Sequence, residues 1–174
     1  DKFPDSVNVD GIEYPIITDF REWIKFCDLI ETDEVPERQK PVLMLEWYED
    51  AVPEDTEKAI LALGEFLGAY KLYEGKEHLR KGQKGSSKRA FSFSQDAGDI
   101  FSAFYVYYNM DLLKVDYMHW WKFRTLFDSL PSDSEIKQKM YYRTIDPKTI
   151  KNKDERKRVI EIQERIKLKE RDHG

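Results

Sequence analysis

Asp116-Tyr117-Met118-His119-Trp120-Trp121-Lys122-Phe123-Arg124-Thr125-Leu126-Phe127-Asp128-Ser129-Leu130 is a strongly aromatic stretch with two adjacent tryptophans, and its period decides the fold class. At 100° per residue, Leu126, His119, Leu130, Phe123, Phe127 and Trp120 share one arc of about 120°. Lys122, Arg124, Thr125, Asp128 and Ser129 lie elsewhere. A broad apolar stripe of this kind makes an amphipathic helix that docks on a core. The spacing predicts a helix from Tyr117 to about Ser129, capped by Asp116 and stopped before Pro131. Trp121 falls off the stripe, beside Tyr117, Arg124 and Asp128. Either a second element covers it, or it is held partly exposed for a partner. Arg124, three residues on, is placed to lie over its ring.

The same periodicity recurs on both sides. Phe20, Trp23, Ile24, Phe26, Cys27 and Ile30 share a face behind a start at Thr18 or Asp19, with Glu22 three residues later as in a capping box. Ile60, Leu63, Phe66, Leu67 and Tyr70 form the core face of a helix that opens near Pro53 on Glu54, Asp55 and Glu57. Gly64 and Gly68 are spaced to permit a close approach. Ile100, Phe101, Phe104, Tyr105 and Tyr108 cover so wide a face, bordered by Tyr107, that their helix reads as central. Ser94 caps it and Asn109 ends it. Ser132 with Glu135, and Asn152 with Glu155, repeat the capping signal. They start a helix to roughly Arg143 and a charged final helix to about Glu170. That last helix carries only a narrow stripe of Val159, Ile162 and Ile166. It either docks lightly on its own chain or pairs with another. Val42 to Tyr48 is apolar and short; behind Pro41 it is read as helix. Before all of these, Val7-Asn8-Val9-Asp10-Gly11-Ile12-Glu13-Tyr14-Pro15-Ile16 reads as a small β-hairpin rather than the tip of an extended loop, because Asp-Gly suits a type I′ turn and apolar residues alternate on both sides.

The expected architecture is therefore mainly α: about six to seven helices with a small N-terminal β-hairpin. Residues 1–150 form one helical domain with halves at 17–73 and 91–144. Residues 151–174 add the charged C-terminal helix. Between the halves, 74–90 is rich in Gly, Ser and Lys, with no periodic apolar face, and reads as a flexible basic loop.

The bulk composition narrows the function. With 174 residues, 40% hydrophobic and 36% charged, the chain is globular and large enough for a core. Residues 1–70 hold 18 Asp and Glu against 6 Lys and Arg, an acidic half that argues against general nucleic-acid binding. Residues 71–90 are basic, but no aromatic follows Tyr73 there to stack on bases. A regulator touching nucleic acid through 76–89 is the third reading. The single cysteine, Cys27, excludes an internal disulfide and fits a reducing compartment. No apolar run reaches the ~20 residues of a membrane span, and no secretory signal is visible.

Chemistry is poorly served. His119 is the one histidine placed for catalysis, since His78 lies in the loop and His173 at the end. It sits among Leu126, Phe123 and Leu130, where a hydrogen-bonded core role is expected. No metal-ligand spacing, phosphate loop or Gly-x-Ser-x-Gly turn accompanies it. Glu49/Asp50 and Glu54/Asp55 are explained by helix ends, and Cys27 by burial in its stripe. No catalytic, metal or cofactor site is expected, and the chain is read as a non-enzyme.

The pattern resembles a known family. Asp10-Gly11, Tyr14-Pro15-Ile16, Thr18-Asp19-Phe20-Arg21 and Trp23-Ile24 are similar to the start of the bacteriophage family named for gene product fifteen of its founding phage. So, further on, are Phe93, Asp96, Ile100, Phe104, Tyr108, Met110-Asp111-Leu112, His119-Trp120-Trp121-Lys122-Phe123-Arg124, Leu130 and Tyr142-Arg143. Asn109 stands where glycine is expected and can adopt the same backbone. The resemblance implies a tail-module protein of long-tailed phages in the host cytoplasm. The implied role is that of a tail-assembly chaperone coating the helical tape-measure protein. The alternative is a structural tail or connector protein retained in the virion. Tyr117, Trp121, Arg124, Ile162 and Ile166 are the expected contacts with tape-measure or other tail proteins, with self-association open.

Overall fold

A computed structural model describes residues 2–69 and 89–169. Most of the basic segment, with Tyr70, His78, Glu170 and His173, lies outside the described residues. The described residues hold one two-stranded sheet and seven α-helices, as the periodicities predict. The chain divides into two compact units. Of the described residues, the first holds 2–69 and 116–128, and the second 89–115 and 129–169.

In the first unit, β1 (Ser6–Val9) pairs antiparallel with β2 (Ile12–Pro15), in register Val9 to Ile12. Asp10 and Gly11 both have positive φ, 52° and 84°, as a type I′ turn requires. Three helices follow: α1 (Phe20–Glu31), α2 (Lys40–Met44) and α3 (Thr56–Gly68). The Asp19 carboxylate caps α1 by accepting the Arg21 N–H, and Asp55 caps α3 through Lys58. Pro41 sits in the first turn of α2, where its missing N–H costs nothing. Phe20, Trp23 and Phe26 of α1 are buried, as are Ala59, Ala62, Leu63 and Phe66 of α3. The hairpin rests on α3 through Val7 and Val9. A Cβ added to Gly64 would meet nothing within 4 Å, so the close approach expected there does not occur.

The unit closes with α5 (Trp120–Asp128), which lies against α1. It begins three residues later than the wheel predicts. Residues 117–119 are instead drawn into an extended bridge: Phe20 N–H donates to the Met118 carbonyl, and Trp120 N–H to Thr18. Asp116 is therefore no cap, and its carbonyl accepts from Arg21. On the other side, Ile17 N–H donates to Trp47 and Glu49 N–H to Pro15. Residues 15–20 are thus held between two other segments before they enter α1.

The second unit holds α4 (Ala97–Tyr108), α6 (Glu135–Thr144) and α7 (Lys153–Arg165). Asp96 occupies the N-cap of α4, in place of Ser94. Ser134 precedes α6, in place of Ser132, and donates its hydroxyl to the Pro131 carbonyl. Asn152 caps α7 through Glu155, as expected. Asn109 ends α4 at φ 50°. The core holds Ile100, Ala103, Phe104, Leu130, Ile136 and Val159. α4 is not the central helix that its composition suggests. Only one face is buried, and Tyr105, Val106 and Tyr107 are exposed by 54%, 71% and 42%. α7 ends at Arg165 rather than near Glu170 and docks on α6. There Gln163 donates to the Tyr142 and Ile145 carbonyls, so the docking alternative holds. Among the described residues no helix is long and apolar enough to cross a membrane.

Candidate functional site

The aromatic helix is anchored on the end of α3. The last carbonyls of a helix have no partner inside it and carry the negative end of its dipole. Trp121 Nε1 donates to the Phe66 carbonyl at 2.9 Å, and Trp120 Nε1 to the Leu67 carbonyl at 2.9 Å. Arg124 reaches Leu67 more weakly, at 3.4 Å. Ala69, at φ 51°, turns the chain away after this cap. The two adjacent tryptophans therefore close one helix from another.

Trp23 donates to the Ile17 carbonyl and Trp47 to Glu22. Every tryptophan of the chain is thus buried and donates its indole N–H to the main chain. Their rings form one continuous cluster. Trp23 lies 4.8 Å from Phe66 and 5.0 Å from Phe26, and Phe20 stacks on Phe123 at 4.9 Å.

His119 stands at the head of α5 and is buried. Its Nδ1 accepts the Trp121 main-chain N–H at 3.0 Å, so the side chain caps the helix. That pattern places the proton on Nε2, which donates to the Pro4 carbonyl at 2.8 Å. The ring stacks on Phe3 at 5.0 Å. Burial pushes its pKa below the ordinary 6.5, outweighing the Pro4 carbonyl and Asp5, which favour the charged form. This is the hydrogen-bonded core role expected of it.

Of the two alternatives for Trp121, the structure shows cover. Phe66 lies against it on one side and Phe3 reaches it from the N-terminal segment. The wheel describes α5 alone and cannot register elements arriving from elsewhere. Trp121 therefore presents no free face, and it leaves the set of expected contacts. Arg124 lies over Trp120 rather than Trp121, with its guanidinium carbon 5.6 Å from the ring centroid. Burial lowers the Arg124 pKa, and its Nε has no hydrogen-bond partner. Tyr117 is exposed, although its hydroxyl shares a hydrogen bond with Thr18 at 2.7 Å. Ile162 and Ile166 are half-buried within the second unit.

Cys27 is half-buried beside the core, and its thiol is pushed up to about 12, chiefly by burial. Such a thiol is a poor nucleophile at neutral pH. Among the described residues no cluster of His, Cys, Asp or Glu is arranged to hold a metal ion.

Two features escape a reading by periodicity. The first is the buried pair of Arg143 and Asp96, joined by two bonds of 2.8 and 2.9 Å. Arg143 also donates to the Ile166 carbonyl at 2.8 Å and Ala90 at 3.1 Å, tying α4, α6 and the end of α7 together. Burial would raise the Asp96 carboxyl, but Arg143 and the Ser92 N–H hold it below the usual carboxylate value. Periodicity gives no signal for the pair, because Asp96 near a helix start and Arg143 near a helix end are each explained by the helix dipole. The second is the outer face of α4. From Ile100 to Met110 there is no Asp, Glu, Lys or Arg. Tyr105 and Val106 stand in that stretch, exposed, and Leu113 beyond it is 82% exposed.

The fold is thus a mainly helical one with an N-terminal hairpin, whose aromatic cluster is structural. The model of the family described as Bacteriophage Gp15 protein matches residues 1–168, and the chain belongs to that family. No curated protein and no solved structure matches the chain.

Proposed function

We propose that this phage protein is a tail morphogenesis factor: a tail-assembly chaperone that binds the tape-measure protein in the cytoplasm of the host and catalyses no reaction. The observation that carries the reading is the outer face of α4. Tyr105 and Val106 stand out from a helix with no charge between Ile100 and Met110, in a chain that is 36% charged. Exposed aromatic and aliphatic groups without desolvated charge suit the apolar stripe of an amphipathic client helix. Tyrosine offers contact area at low entropic cost while keeping a polar tip. Such a surface binds and still releases, as an assembly chaperone must. Tyr117 is a further candidate contact.

The resemblance of His119-Trp120-Trp121-Lys122-Phe123-Arg124 to the family supports the tail assignment. The test is co-expression with the tape-measure protein of the same phage, followed by affinity capture. Capture of a stoichiometric complex supports the reading, and no capture sinks it. The alternative, a structural tail or connector protein, is separated by mass spectrometry of purified virions. A chaperone is absent from mature particles.

A further inference from the structure

We propose that His119 is a protonation latch: it holds Phe3, through Pro4, over Trp121, and adding a proton at Nδ1 releases both residues while the helices stay folded. The latch has three parts. Nε2–H donates to the Pro4 carbonyl at 2.8 Å, the ring stacks on Phe3 at 5.0 Å, and Nδ1 accepts the Trp121 N–H at 3.0 Å. The first two hold Phe3 and Pro4, while Asp5 stays tied to the hairpin through its carbonyl, which accepts the Ile16 N–H at 3.1 Å. The third aims the ring, and it requires an unprotonated Nδ1. A proton there would face the Trp121 N–H, donor against donor, at the positive end of the α5 dipole. The Pro4 carbonyl favours the charged ring but cannot relieve the clash at Nδ1, so the imidazolium turns away, and the Pro4 bond and the Phe3 stack go with it.

The charged surroundings fit a local release. Asp5, next to the held residues and itself tied to Ile16, is the carboxylate whose charge favours the imidazolium. Asp19, whose residue bridges to His119 through the main chain, has its carboxylate engaged by Arg21 at 2.8 Å. From α3 the ring meets uncharged Phe66, and within α5 it meets Trp121. The anchors of α5 on α3 do not pass through His119, because both indole bonds run directly to Phe66 and Leu67. Release therefore uncovers one edge of Trp121 without undoing the cap.

The experiment follows nuclear Overhauser effects between the Phe3 ring and the His119 and Trp121 side chains on the full chain, with His119 titrated in the same samples. The expected result is that these effects vanish with a midpoint that matches His119 and lies below its ordinary 6.5, with helical circular dichroism retained. His119→Gln, which keeps an amide donor near the Nε2 position and cannot titrate, should show the effects across that range. His119→Asn, which keeps a capping oxygen near Nδ1 but lacks the reach to Pro4, should show none at any pH while staying helical. Overhauser effects that persist on protonated His119 would overturn the proposal. So would their disappearance from His119→Gln at the same pH, or helices that melt at the pH where the Phe3 ring comes free.

Discussion

The indole N–H of Trp121 donates to the carbonyl of Phe66 at 2.9 Å, so a side chain of α5 closes the C-terminal turn of α3. This relationship turns the most conspicuous surface candidate of the sequence into a structural anchor. Trp121→Ala should therefore act on stability first. It removes a ring that is 5% exposed, and such truncations cost about 3–5 kcal/mol. Trp121→Phe keeps most of the ring area, and the Phe66 carbonyl still accepts the Ala69 N–H, so it should cost less than half as much. Urea unfolding followed by circular dichroism measures both. A Trp121→Ala protein of unchanged stability that fails to capture its client would restore Trp121 as a contact.

The second unit depends on a buried charge pair. Asp96 and Arg143 are 3% and 8% exposed at their side chains. Removing one partner leaves the other charged and buried, which costs about 3–5 kcal/mol. Arg143→Met and Asp96→Asn should each lower the unfolding free energy steeply. The double variant should recover part of the loss, since neither charge is then stranded. Strictly additive losses in the double-mutant cycle would show that the pair is not coupled.

Acid should act in two windows. The Asp96 carboxyl is held below its ordinary 3.8, so its contribution is complete above that value and lost as pH falls through its folded value. The folded pKa of His119 is also depressed, here from 6.5. The unfolded chain then takes up a proton that the folded chain refuses, and stability begins to fall as pH drops through that ordinary value. Unfolding free energies between about pH 8 and about pH 3 should show an upper step that is absent from His119→Gln and a lower step that is weakened in Asp96→Asn. An upper step that survives His119→Gln would assign it to another group.

The Cys27 thiol, pushed up to about 12 from an ordinary 9.0, carries roughly 1000-fold less thiolate near neutral pH than a free cysteine. Alkylation by iodoacetamide should accordingly be slow in the native chain and become ordinary in urea. Native labelling at the denatured rate would show a thiol in an open, solvated setting.

Helix type and approximate position were legible because period and caps are local. Asp10-Gly11, Asp19, Asn109 and Asn152 each encode a turn or cap through their own side chains or φ, and each performs it. What failed were the features set by distant chain. α5 starts late because Thr18–Phe20 claims residues 117–119 for a bridge. Asp96 stands at the N-cap in place of Ser94 without a side-chain bond to the helix, its carboxylate being held by Arg143, 47 residues away. Trp121 is covered because Phe3 and Phe66 arrive from other elements. α4 misled in the opposite direction. Its composition suggests burial all round, but the second unit covers only the Ile100, Ala103 and Phe104 face. The candidate surface was thus the least legible part, being defined by what the rest of the unit leaves bare.

That bare face supplies the sharpest functional test. Val106 is 71% exposed and Tyr105 54%, so replacing them disturbs little packing. Surface substitutions away from special features usually stay within about 0.5 kcal/mol. Val106→Asp places a charge in the middle of a stretch, Ile100 to Met110, that has none, where a docking apolar stripe would have to desolvate it. Capture of the tape-measure protein should fall at least about tenfold, with circular dichroism and melting temperature unchanged. Tyr105→Ala, which removes area without adding charge, should weaken capture less. Lys153→Ala, on the exposed first turn of α7, should leave it untouched. Undiminished capture by Val106→Asp would remove α4 from the client surface and move the search to Tyr117 on the first unit.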